Sequence, residues 1–169
     1  MKVPNERGRS GDSHAHDERG QGRELAVLAL CHLESYPAAE RREALELLWR
    51  NPPRGDGERG TAFAVMVAHV PARRRADALA GGVLEHWAEL DDVITRTSAR
   101  WRLERMAQVD RNVLRVVAFE LGHVPGTPRP VVLAEAVRLA RRYGSERSPG
   151  FVNGLAEALA QRLRPGGDG

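Results

Sequence analysis

The stretch Val109-Asp-Arg-Asn-Val-Leu-Arg115, which continues to Phe119-Glu-Leu121, decides the fold class of this chain. Its apolar residues recur every three or four positions, which is the spacing of one face of an α-helix. Asp110 suits the start of such a helix because an acid is favoured near the positive end of the helix dipole. The same spacing recurs along most of the chain, and no segment alternates as a strand does. The sequence therefore predicts an all-α fold.

The predicted helices are joined by short loops rich in proline and glycine. They cover 23–35, a segment that begins at 38, 61–70, 71–97, a short helix around 101–106, 110–123, 130–143 and 148–163, which is about seven helices of useful length. Gly81-Gly82 lies inside the fourth, and we interpret the pair as a point where another helix approaches closely. Gly144 is expected to end the helix before it in the left-handed conformation.

The first 22 residues differ in composition from the rest of the chain. Residues 1–22 carry four basic and four acidic side chains and almost no apolar ones, so this segment cannot bury enough surface to order itself. We predict a disordered tail over 1–22, a helical domain over 23–164 and a frayed end over 165–169.

Composition narrows the class of protein. The chain has 169 residues, of which 41% are hydrophobic, but no apolar run approaches the roughly 20 residues of a membrane span. No hydrophobic signal segment is visible near Met1, and the single Cys31 excludes an internal disulfide. These features predict a cytoplasmic protein that does not insert into membranes.

The net charge is only +3, yet 96–115 holds six arginines against two acids, so basic residues concentrate in the folded part.

A search for catalytic or metal-binding motifs finds little. The sequence has no phosphate-binding glycine loop, no Gly-x-Ser-x-Gly and no His-Glu-x-x-His. His14-Ala-His16 lies in the predicted tail without a third ligand nearby. Core or surface positions are the better interpretation for the histidines on predicted helices, namely His32, His69, His86 and His123, and Glu89 with Asp91-Asp92 fits a solvated helix face. We predict no catalytic residues, no cofactor, no metal and no enzymatic activity.

Binding features are more evident near the end of the predicted helix over 130–143. Arg138, Arg141 and Arg142 precede Tyr143, and Phe151 follows the next loop. Arginines neutralise phosphates, and aromatic rings stack on unpaired bases at ~1–3 kcal/mol each. This arrangement fits a platform for single-stranded RNA, but the residue types alone favour the other interpretation, in which both rings pin two helices together.

The order of these motifs resembles the NusB family of transcription antitermination factors. The similarity runs from about Arg23 to Leu163 and is strong after Gly82. It rests on Arg23 and Ala26 in the opening helix and then on Val109–Arg115, Phe119–Leu121, Leu133–Val137, Leu139-Ala-Arg141 with Tyr143-Gly144, and Phe151-Val-Asn-Gly154.

The resemblance implies two packed three-helix subdomains, about 23–80 and 81–164. It also implies binding of boxA-type single-stranded RNA together with NusE, a ribosomal protein of the small subunit, and action on RNA polymerase during transcription of ribosomal RNA operons. Carried over to this chain, the expected RNA-binding residues are Arg23, Arg141, Arg142, Tyr143, Ser148 and Phe151. The expected residues facing NusE are Cys31, Glu104, Asp110 and Arg111.

The chain departs from the family pattern at several positions. The N-terminal arm offers Gln21-Gly22-Arg23 where the family has a run of arginines, and Cys31 replaces a tyrosine. Each lost arginine removes a phosphate contact, so weaker or more partner-dependent RNA binding is expected. The alternative is a diverged relative that acts as a protein-interaction module with weak or no RNA binding.

Overall fold

The computed structural model describes residues 9–55 and 57–166, and that part of the chain forms eight α-helices and two short 3-10 turns, with no strand. The helices are α1 (Arg9–Leu33), α2 (Arg41–Arg50), α3 (Glu58–Ala68), α4 (Val70–Glu85), α5 (Trp87–Thr97), α6 (Gln108–His123), α7 (Arg129–Tyr143) and α8 (Ser148–Leu163). The 3-10 turns are Ala38–Glu40 and Leu103–Arg105. The predicted all-α class is confirmed. None of the helices within these residues combines the length and apolarity that a bilayer crossing requires.

Helix α1 begins at Arg9, well before the start predicted from the sequence. The prediction of disorder is therefore corrected for 9–22, while residues 1–8 lie outside the described residues. The last turn of this segment, 18–22, packs closely: Gly20 and Gly22 are buried, and a side chain on Gly22 would overlap Arg75 of α4. Small residues let the helix continue against its neighbours although the segment has few apolar side chains.

The long helix predicted over 71–97 is two helices in the structure. The chain bends at His86, which separates α4 from α5. The interpretation of Gly81-Gly82 as a close approach is confirmed, because a Cβ atom on Gly81 would overlap the Arg42 guanidinium and one on Gly82 would overlap the Phe119 ring. Gly144 ends α7 with a φ of −89°, so the expected left-handed conformation is wrong.

One hydrophobic core connects all eight helices. Helix α1 packs mainly on α4 and α6, while α6, α7 and α8 pack on one another. Leu25, Leu30, Leu114, Leu139 and Leu159 are among its fully buried side chains. The expected boundary near residue 80 falls inside the continuous helix α4, and the division into two subdomains stays a prediction.

Candidate nucleic-acid and partner-binding surfaces

Arg23 lies inside the protein, not on an RNA-facing surface. Only 2% of it is exposed, and its guanidinium donates from Nε and Nη2 to both carboxylate oxygens of Glu120, at 2.8 and 3.0 Å. Arg75 of α4 donates to the same carboxylate at 2.9 Å. Arg23 therefore ties α1 to α6, and its prediction as an RNA contact is corrected to a buried ion pair.

Ser148 and Asp110 are also buried, although the sequence assigned them to RNA and partner binding. Their exposed fractions are 1% and 5%. The Ser148 hydroxyl donates to Asp110 Oδ2 at 3.0 Å and accepts from the backbone N–H of Ser145 at 2.9 Å. Burial raises the pKa of the Asp110 carboxyl against the lowering effect of that hydrogen bond. The pair joins the starts of α6 and α8, so both assignments are corrected to internal contacts.

Tyr143 and Arg142 lie at the surface where α7 ends. The Tyr143 ring is half-buried, whereas Arg142 is exposed and lies 5.6 Å over that ring. Buried Glu24 of α1 accepts a hydrogen bond from the Tyr143 hydroxyl and pairs with Arg142 at 3.3 Å. Burial and that hydrogen bond raise the pKa of Tyr143 to about 12. The ring therefore stays neutral and fixed by its hydroxyl, while the guanidinium remains accessible.

An open pocket of about 740 Å³ lies beside this helix end. Helix α3 contributes Arg59 and Phe63 to its lining, α7 contributes Arg142 and Tyr143, and His32 of α1 also lines it. Two rings and two guanidinium groups around one cavity form a surface that can accept a planar base and its phosphate.

Sequence reasoning missed Arg59 and Phe63. The sequence predicts that this helix starts at Thr61, which places Arg59 in the loop before it. In the structure α3 starts at Glu58 and includes Arg59. The one available signal was the spacing of four residues, which places Arg59 and Phe63 on the same helix face.

Phe151 lies in a different environment from Tyr143. Its ring packs edge-on against Trp101, with ring centroids 6.0 Å apart and planes at 84°. Trp101 is more than half exposed. The two rings that the sequence placed on one platform thus have different neighbours, and Phe151 with Trp101 forms a separate aromatic surface at the start of α8.

The remaining α7 arginines differ in availability. Arg138 pairs with Glu135 at 3.0 Å and with Glu24 at 3.2 Å, so its charge is already balanced. Arg141 is exposed, and no ion pair involves it among the described residues. Arg141 and Arg142 are exposed side chains of α7 that a phosphate can reach, and Arg142 also pairs with Glu24.

Cys31 lies at the junction of α1 and α6. The Asn112 side chain donates to its sulfur at 3.5 Å, and Gln108 donates from Nε2 to the Cys31 carbonyl at 2.9 Å. Burial raises the pKa of the thiol to about 11, so it stays protonated near neutral pH. Cys31 therefore acts as a packing residue at the edge of this junction.

A network of charges covers the same junction. Arg111 donates to both oxygens of Glu34, at 2.7 and 2.6 Å, while Arg115 pairs with Glu34 and, at 2.7 Å, with Asp91. Although burial alone would raise the pKa of Glu34, the hydrogen bonds from Arg111 and Arg115 lower it overall. Glu104 is exposed and lines a shallow depression together with these side chains.

One tryptophan anchors this network. The guanidinium groups of Arg41 and Arg115 both lie over the Trp87 ring, each 4.0 Å from the ring centroid. Such cation–π contacts fix planar charges above a ring. The structure thus brings together Cys31, Arg111 and the region of Glu104, but not Asp110.

The fold and these surfaces define an all-helical protein with two candidate binding faces. Its relatives extend the assignment. The NusB family profile matches residues 21–161. The chain is 44% identical over 145 residues to the transcription antitermination protein NusB of Sorangium cellulosum, covering 86% of this chain and 93% of that protein. It is 40% identical to the Myxococcus xanthus protein of the same name, covering 86% and 96%.

Two solved structures share the fold. T. maritima NusB superposes with a TM-score of 0.66 at 28% identity, covering 98% of this chain and 96% of that chain. A chain in the crystal structure of a plectonemic RNA supercoil gives a TM-score of 0.61 at 25% identity, covering 86% and 95%. The protein belongs to the NusB family.

Proposed function

We propose that this protein is a transcription antitermination factor that binds boxA-type single-stranded RNA together with NusE, in the cytoplasm, and acts by binding rather than by catalysis. The observation that carries the proposal is the 40–44% identity, over 145 residues, to proteins named for transcription antitermination. The resulting complex acts on RNA polymerase that transcribes ribosomal RNA operons.

The RNA surface in this proposal is the pocket between α3 and the end of α7. Tyr143 offers a ring whose hydroxyl is held by Glu24, so stacking a base on it costs little further ordering. Arg141 and Arg142 are exposed beside it, and Arg59 also lines the pocket. Because Arg142 already pairs with Glu24 at 3.3 Å, a phosphate must compete with that acid.

The partner surface in this proposal is the junction of α1 and α6. Exposed Glu104 provides a negative charge next to the Glu34–Arg111 pair. A basic partner would contact Glu104 directly. Arg111 would stay paired with Glu34, so only the exposed part of its guanidinium group would face the partner. Asp110 has no part in this surface because it is buried.

The RNA site is tested by fluorescence anisotropy with a labelled boxA RNA, with and without NusE. We expect Tyr143→Ala to weaken binding by about 1–3 kcal/mol through lost stacking, and Arg142→Ala to reduce the salt dependence by about 0.7 in log–log slope. Arg96→Ala is the matched control, because Arg96 is an exposed arginine on α5 that pairs with Asp92. If both α7 variants bind as the wild type does while remaining helical, RNA does not use this pocket.

The partner surface is tested by isothermal titration with NusE. Glu104→Lys reverses an exposed charge and should weaken binding, with loss of on-rate as the main effect. Glu157→Lys on α8 is the control, because it makes the same charge change at another exposed position. Equal affinities for the two variants would remove the α1–α6 junction from the NusE interface.

A further inference from the structure

Two side chains that are close in the sequence, His86 and Glu89, meet a third, His123, from the end of another helix. His86 Nδ1 lies 2.9 Å from Glu89 Oε2, and His123 Nε2 lies 3.3 Å from Glu89 Oε1. The two imidazole rings stack with their centroids 4.0 Å apart. One nitrogen or oxygen atom from each residue lies within 4.8 Å of the other two. Each carboxylate oxygen of Glu89 therefore faces a different imidazole nitrogen.

The backbone holds these side chains in place. His86 separates α4 from α5, Glu89 lies in the first turn of α5, and His123 is the last residue of α6. The backbone N–H of His86 donates to the Gly82 carbonyl at 3.1 Å. The Phe119 ring lies 5.3 Å from the His123 ring and 6.0 Å from the His86 ring, so both imidazoles have an aromatic support on the protein side.

We propose that His86, Glu89 and His123 form a binding site for a divalent transition-metal ion, with Zn²⁺ as the best match. Imidazole nitrogen and carboxylate oxygen are donors that suit Zn²⁺. Zn–N and Zn–O distances of about 2.1 Å place neighbouring donors about 3.4 Å apart around a tetrahedral ion. The 2.9 Å separation of His86 Nδ1 from Glu89 Oε2 and the 3.3 Å separation of His123 Nε2 from Glu89 Oε1 are each close to that value, and one donor atom from each residue lies within 4.8 Å of the other two.

The charges of the cluster favour a metal ion. Glu89 is exposed and supplies a carboxylate, a donor whose charge complements that of a divalent cation. One metal ion can accept a lone pair from each of the two imidazole rings, which stack with their centroids 4.0 Å apart. Three protein donors also leave a fourth position for water.

A bound ion would connect the α4–α5 junction to the end of α6. It would therefore stabilise the folded state by binding to it and not to the unfolded chain. At a hundredfold excess of Zn²⁺ over its Kd, we expect Tm to rise by about 5–10 °C.

The test is a titration of the full chain, without a polyhistidine tag, with ZnCl₂ by calorimetry, together with NMR of ¹⁵N-labelled histidines. We expect one ion per chain and shifted ring signals for His86 and His123. His86→Gln, Glu89→Gln and His123→Gln should each weaken binding at least about tenfold. Glu89→Gln is the key variant, because Glu89 is exposed and its loss leaves the core intact.

The matched control is the double variant His14→Gln/His16→Gln, which removes the two histidines nearest each other in the sequence. It should keep the wild-type affinity and the Zn²⁺-dependent rise in Tm. The proposal is overturned by the absence of saturable binding, by full affinity in any of the three single variants, or by loss of binding in the control. One ion per two chains would also overturn it, since the ion would then lie between copies.

Discussion

Replacing Arg23 with methionine separates a structural role from an RNA-binding one. The substitution keeps a long apolar stem and removes the guanidinium that donates to both oxygens of Glu120, at 2.8 and 3.0 Å. Glu120 is 1% exposed, so water cannot replace the lost donors. The variant therefore leaves a buried carboxylate with Arg75 as its remaining cationic partner.

The magnitude follows from that geometry. Removing one member of a buried ion pair costs about 3–5 kcal/mol because the other charge remains uncompensated. Arg75 still donates to Glu120 at 2.9 Å, so we expect the lower end, about 3 kcal/mol. For a chain of this size, that loss corresponds to a fall in Tm of about 6–12 °C.

The assay combines thermal unfolding, followed by circular dichroism, with RNA anisotropy at a temperature where the variant is folded. We expect the Arg23→Met variant to unfold at a lower temperature than the wild type and to bind boxA RNA with the same affinity. Arg141→Ala is the control for stability, because an exposed arginine without a partner among the described residues should change stability by no more than about 0.5 kcal/mol. An unchanged Tm together with weaker RNA binding would falsify the assignment of Arg23 to the interior.

Three further predictions concern other contacts. The Glu34→Gln variant should be less stable than the wild type near neutral pH, and the difference should vanish in acid. The lowered pKa of Glu34 stabilises the fold above the usual glutamate pKa, and this contribution is lost as pH falls; urea unfolding at several pH values measures the difference in stability. The wild type should show a tyrosinate absorbance step near pH 12 that the Tyr143→Phe variant lacks; a step near pH 12 that persists in the variant would mean that another group produces it and that the pKa of Tyr143 is not raised. The Gly82→Ala variant should lose about 1 kcal/mol of unfolding free energy. The new Cβ atom would overlap the Phe119 ring, and the cost of moving that ring exceeds the gain in helix propensity from alanine.

The candidate RNA surface could be predicted in part. Gly144 indicates in the sequence that a helix ends at Tyr143. In the structure Arg142 is exposed and Tyr143 is half-buried at that helix end. Arg23 was assigned to the same surface, although its partner Glu120 lies almost a hundred residues away. No local pattern distinguishes an arginine that faces solvent from one that meets a distant acid inside the core.

Ser148 and Asp110 illustrate the same limit from the other side. Each residue type is common at the start of a helix, so the sequence predicts their helix positions well. Their mutual hydrogen bond depends on how α8 packs against α6, which local propensity does not specify. At these two positions, local propensity therefore does not distinguish a buried contact between helices from a surface contact with a partner.

The sequence by itself determined the helical character of this protein, because the spacing of apolar residues and the placement of prolines and glycines act within one or two turns. It also indicated where helices approach closely, since Gly81-Gly82 makes sense only where a side chain would collide. Tertiary structure alone decided which arginines pair internally and which stay open, and it alone brought His86 to His123. Burial and pairing depend on the mutual positions of whole helices, and many weak contacts distributed over the entire core set those positions.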